Sequence, residues 1–161
     1  MNANAELITW SEKLACGIKQ IDEQHKGLVE MVNEMFNHCN GDRAQERDYF
    51  DRVINEAVNY VKTHFALEEK VMAATEYPGY AKHKNEHDNF IITVAGKIKD
   101  YKDGNRLVLS TFTMFLKNWV LSHIAMSDKQ CFNYVRKIAT RKSDGKLSIT
   151  LNDIRMFRAN S

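Results

Sequence analysis

The chain has 161 residues, 27% charged and 43% hydrophobic, the size and composition of one globular domain with a substantial core. Lys plus Arg number 23 against 21 for Asp plus Glu, a formal charge of +2, so there is no positive field to attract nucleic acid or an anionic membrane. No run approaches the roughly 18 to 20 apolar residues of a membrane span, and the opening MNANAELITW lacks a basic-then-apolar leader, so a cytoplasmic protein is expected.

Only one proline, Pro78, and seven glycines punctuate the chain, which favours long helices over a turn-rich β architecture. Residues 1–17 read as an N-terminal arm, with Leu7, Ile8 and Trp10 available to pack on the bundle. Ile18, Ile21, His25, Leu28, Val32, Met35 and Cys39 then step by three and four along one helical face. The second segment opens at Asp42, with Gln45 three residues on as in a capping box. It carries Phe50, Val53, Ala57, Val61, His64, Glu68 and Met72 on the same rhythm. Tyr77-Pro78-Gly79 separates it from a third, in which Tyr80, His83, His87, Phe90, Val94 and Ile98 share a face, with the proline suited to a first helical turn. Asp103-Gly104-Asn105 is a turn signal. Beyond it, Leu109, Phe112, Leu116, Trp119 and His123 lead on to Cys131, Val135 and Ile138. Four amphipathic helices with short connections predict an all-α, antiparallel up-down-up-down four-helix bundle over residues 1–140. Residues 141–161, polar and then briefly alternating, form a C-terminal extension.

The stripes that should face the core contain the wrong residues. His25, His64, Glu68, His83, His87 and His123 all fall on them. Burying such groups unpartnered costs several kcal/mol each, and a metal that takes neutral imidazole and ionised carboxylate compensates all of them at once. His64 and Glu68 are four residues apart, as are His83 and His87, so each pair projects from one face. Asp128 fits less simply. Five residues past His123 is about 140° round an ideal helix, and the apolar stripe slips by one residue at the same place. A local π-type bulge between His123 and Asp128 would reconcile both.

Neighbouring polar residues receive blander readings. His38 lies beside its stripe and suits a helix end. Glu69, Glu86 and Asp88 are expected to point away from the stripe into solvent. Cys16, Cys39 and Cys131 are odd in number and far apart, as for reduced thiols, idle or buried. Met31, Met35, Met72, Met114 and Met126 are expected as core filler.

Trp10, Gly17-Ile18, Ile21-Asp22-Glu23-Gln24-His25, His64-Phe65-Ala66-Leu67-Glu68-Glu69, His83-Lys84-Asn85-Glu86-His87 and Trp119-Val120-Leu121-Ser122-His123 with Asp128 together resemble the hemerythrins, most closely the bacterial type. The resemblance spans roughly residues 8 to 138. It implies a non-haem di-iron centre, with one iron on His83, His87 and His123 and the other on His25 and His64. Glu68, Asp128 and an oxo or hydroxo group would bridge them. It also implies that dioxygen takes the open position on the His25–His64 side, in a closed apolar pocket. Leu28, Phe65, Trp119, Val120 and Ile124, each within a turn of a ligand, are the expected lining. The implied function is reversible dioxygen binding for carriage, storage or delivery, without enzymatic activity and by a monomer. A sensor of oxygen, nitric oxide or redox state acting through a protein partner is the second reading, and a di-iron oxidase or peroxidase the third. Ferritin-like oxidases use carboxylate-rich sites with Glu-x-x-His pairs. Here no histidine has a glutamate three residues before it, and five histidines face two carboxylates.

Overall fold

The structure, a computed structural model, describes residues 5–39, 41–104 and 108–141. Helix α1 runs Lys19–His38, α2 Arg43–Ala74 and α3 Tyr80–Lys102. The fourth rod is composite, with α4 at Val108–Trp119, a π-helical segment at Val120–Asp128 and α5 at Lys129–Arg141. Trp119 and Lys129 at its two junctions keep right-handed helical dihedrals, so the chain never leaves the helix there. Helix α1 packs on α2 and α4, and α3 packs on the same two, closing an antiparallel four-helix bundle. No strand occurs among the described residues.

Local chemistry sets the helix ends. Asp42 caps α2 by accepting from the Ala44 and Gln45 amides, and the Gln45 side chain donates to its other oxygen at 2.8 Å. Helix α1 begins at Ile18, which has no side-chain cap. Asp22, in the first turn, instead accepts from the backbone N–H of Cys16 and Gly17 at 2.7 and 3.1 Å. Gly17 has φ +81°, a left-handed backbone that favours glycine, and the flexible end of the Arg136 side chain lies where a Cβ would stand. Pro78 lies outside α3 rather than in its first turn. It follows Tyr77 in a turn closed by the Tyr80 amide on the Tyr77 carbonyl, 3.0 Å.

The described residues before α1 are fastened to it. Asn33 on α1 accepts from the Leu7 and Ile8 amides and donates to the Ile8 carbonyl, all within 2.9 Å. Ile8 and Leu14 are buried, and Lys26 sits 5.4 Å over the Trp10 ring. The expected extension lies, apart from Arg141, outside the described residues.

Two apolar clusters fill the bundle, and their order along each helix positions the site. Leu28, Val61, Phe65, Phe90, Val120 and Ile124 belong to the larger cluster, whereas Ile21, Val71, Met72, Cys131 and Phe132 belong to the smaller. Between them lie His25 on α1, His64 and Glu68 on α2, and His123 and Asp128 on the fourth rod. Met35 and Met72 are core filler, but Met114 and Met126 are 45% and 68% exposed. Met114 is two residues from Phe112, on the far face. Met126 would point inward on an α-helical ladder, but the π segment rotates it out. No described helix is long and apolar enough to cross a membrane.

Candidate metal centre

The seven side chains converge. His25, His64, Glu68, His83, His87, His123 and Asp128 are each at most 3% exposed. Their donor atoms form two overlapping groups, each within a 4.8 Å span: Glu68, His83, His87, His123 and Asp128, and His25, His64, Glu68 and Asp128. The two carboxylates belong to both, and they divide their oxygens between them. Asp128 turns Oδ2 to His25 Nε2 at 3.1 Å and Oδ1 to His83 and His123 Nε2, both at 3.0 Å. Glu68 turns Oε1 to His64 Nε2 at 3.5 Å and Oε2 to His83 and His87 Nε2 at 3.6 and 3.2 Å. The π segment makes this possible. On its i→i+5 ladder His123 and Asp128 share a face, which an α-helix would deny them. The π geometry extends through Val120–Asp128, more than the single bulge the spacing called for.

A cation fits what these atoms lack. Eight nitrogens and oxygens of His25, Glu68, His83 and Asp128 are buried without a hydrogen-bond partner among the described residues, and Nε2 of His87 and His123 face each other at 3.2 Å. Without a metal the site titrates abnormally. Burial drives His64 down to about 4. Burial also acts to lower His83, but Asp128 and Glu68 outweigh it and raise it to about 9. Burial opposes ionisation of Glu68 and Asp128, yet the surrounding histidines hold Glu68 at about 2 and Asp128 well below the usual range. Two ionised carboxylates among imidazoles form a donor set that takes divalent metal.

Comparison with known proteins decides the family. The Hemerythrin HHE cation binding domain model matches residues 16–135. The chain belongs to the hemerythrin family. It is 34% identical to a bacteriohemerythrin of Stenotrophomonas maltophilia over 130 residues, 81% of this chain and 82% of the relative. It is 31% identical to one of Methylococcus capsulatus over 125 residues, 76% and 92% of the two chains. A crystal structure of wild-type hemerythrin superposes with a TM-score of 0.68 at 30% identity, covering 80% of this chain and 98% of that one.

In this hemerythrin-family chain a second ring of polar residues supports the first, and it corrects the sequence reading of Glu69 and Glu86. His64 Nδ1 lies 2.9 Å from Gln24 Oε1, His87 Nδ1 3.2 Å from Glu69 Oε1, and His123 Nδ1 2.8 Å from Glu86 Oε2. Each acceptor sits beside a candidate ligand of its own helix and reaches the histidine of the next helix. Gln24 spans α1 to α2, Glu69 α2 to α3, and Glu86 α3 to the fourth rod. On their own helices Glu69 and Glu86 do point away from the neighbouring ligand, as expected, but into the adjacent helix instead of solvent. The missed signal is the polar residue flanking a ligand on the side of the next helix. Glu86 Oε2 also accepts from Ser127 at 2.6 Å. Asp88 does behave as a surface residue, pairing with Lys84 at 2.9 Å. His38 stays at the end of α1, its Nδ1 2.8 Å from the Glu34 carbonyl and its ring stacked on Tyr49.

Of the expected pocket residues, Leu28, Phe65, Val120 and Ile124 are buried in the larger cluster and Trp119 packs against it. Phe65 stacks on His87 with centroids 3.7 Å apart, and Trp119 on His123 at 4.0 Å, so both rings cover the three-histidine group. The ring on His64 is Tyr60, at 4.8 Å, a residue sequence reasoning passed over. Burial and the charges of Glu68 and Asp128 hold its hydroxyl well above the usual tyrosine range, so it keeps its proton. Cys16 groups with Asp22 and His25, and burial pushes its thiol up, so without a metal it stays protonated. A cleft of about 590 Å³ opens on the other side of the centre, with His83, Glu86 and Ser127 in its wall.

Proposed function

We propose that this chain, acting as a cytoplasmic monomer, binds dioxygen reversibly at a pair of iron ions for carriage, storage or delivery. The observation that carries the reading is the division of the two shared carboxylates, each with one oxygen toward the two-histidine group and the other toward the three-histidine group. His83, His87 and His123 would hold one iron, His25 and His64 the other, with Glu68 and Asp128 bridging. When bound, two neighbouring ferrous ions each supply one electron, which is the chemistry that lets dioxygen be taken up and given back.

The side chains have distinct tasks. Gln24, Glu69 and Glu86 accept the Nδ1 protons of His64, His87 and His123, which leaves each Nε2 bare and facing the centre. The group of His25 and His64 has one histidine fewer than the other and so keeps room for an outside ligand. Leu28, Val120 and Ile124 exclude water beside it, while Phe65 and Trp119 fix the planes of His87 and His123. Cycling the anaerobically iron-loaded protein between air and nitrogen tests the reading. A visible absorption band that appears with air and disappears under nitrogen supports it. Rapid, irreversible conversion to a ferric spectrum contradicts carriage and favours a sensor or an oxidase.

A further inference from the structure

A tyrosine half-buried on a helix ordinarily keeps its ring inside and turns its hydroxyl to water. Tyr60 is turned the other way. The residue as a whole is only half-buried, yet its hydroxyl oxygen is buried and has no hydrogen-bond partner among the described residues. The ring stacks on His64 with planes 28° apart and packs against the cluster that contains Leu28, Phe65, Val120 and Ile124. Tyr60 stands four residues before His64 on α2, and Leu28 stands three residues after His25 on α1. Because α1 and α2 are antiparallel, both steps run the same way along the bundle, toward the larger apolar cluster. Tyr60 and Leu28 therefore occupy the layer next to the two-histidine group.

An unpaired buried hydroxyl lowers stability, and nearly all such groups find partners. The apolar cluster and the His64 ring flank the residue, and no described residue partners its hydroxyl, which leaves that place open to a bound ligand. We propose that the Tyr60 hydroxyl is the hydrogen-bond donor to a small acceptor ligand, dioxygen or a small anion, seated beside His25 and His64. The inference rests on the metal reading above and adds to it a specificity-determining residue. One donor in an otherwise apolar pocket favours ligands that accept a hydrogen bond and slows their escape.

The test compares wild type with Tyr60→Phe, each iron-loaded, by titrating the ferric form with azide and by following dioxygen release from the ferrous form in stopped flow. Losing one hydrogen bond to a charged or strongly polar acceptor predicts an azide Kd and a release rate each raised about tenfold. The melting temperature of metal-free Tyr60→Phe should equal or exceed that of wild type, because no internal hydrogen bond is lost. Equal azide constants and release rates in the two proteins overturn the inference, as does a metal-free variant that melts several degrees lower. Wild-type protein that takes up no iron overturns the metal reading itself, an outcome distinct from either.

Discussion

A neutral imidazole carries one proton on two nitrogens, so an acceptor at Nδ1 decides what Nε2 can do. Glu86 and Glu69 do this for His123 and His87, and Gln24 does it for His64. The isosteric change Glu86→Gln is expected to keep the fold but weaken iron retention about 10- to 100-fold, measured as iron lost to a chelator over time. His64→Ala and His123→Ala should each drop iron content from two toward one per chain, while His38→Ala keeps both, by metal analysis of the purified proteins. The titration of the metal-free site has a definite sign. His83 is raised from 6.5 to about 9, so its stabilising contribution is complete below pH 6.5 and lost as pH rises through about 9. His64 is lowered from 6.5 to about 4, so it disfavours the fold increasingly as pH falls through that range. Melting temperature of the metal-free protein should therefore peak near pH 6.5 and fall on both sides. A profile rising steadily to pH 9 would show that His83 is not paired with Asp128 and Glu68.

At the scale of the element, the π segment is the departure from regularity on which the centre depends. The spacing of Trp119, His123, Asp128 and Cys131 exposed one extra residue in an otherwise three-four stripe, and the helix absorbs it over Val120–Asp128. Deleting the exposed Met126 leaves a regular three-four spacing and should return the segment to an α-helix. Release of about 1 kcal/mol of strain would raise the metal-free melting temperature by about 2–4 °C. Iron retention should persist in the same variant, because His123 and Asp128 would then stand four residues apart and share one face of an α-helix. A variant that melts higher but loses its iron would show that the centre needs the π geometry itself and not only the shared face. This part of the site was legible in sequence because a phase slip along one helix is a one-dimensional signal. The polar residues on apolar stripes were legible for the same reason. Contacts between helices were not. Glu69 and Glu86 looked solvated because only their own helices could be read, and their partners His87 and His123 lie on the next one. Nor does a sequence tell which end of Tyr60 is buried, or that Phe65 and Trp119 lie against the three-histidine group.

Across the whole molecule, a polar layer separates two apolar clusters at the same level of the bundle. A bundle of this size does not need such a layer to fold, and among the described residues its buried imidazoles and carboxylates find only one another for company. The arrangement is intelligible as a site for cations that the helices enclose. The amphipathic pattern announced the four helices, and the family match over residues 16–135 agrees with it. The proposed function requires this enclosure to hold two irons acting together on one dioxygen. Oxygen uptake by the anaerobic, iron-loaded protein, measured with an electrode against iron content and followed by release under vacuum, tests it most directly. One dioxygen taken up for every two irons and returned in full is the predicted result. Uptake that does not return, or that continues through repeated turnover, would contradict it.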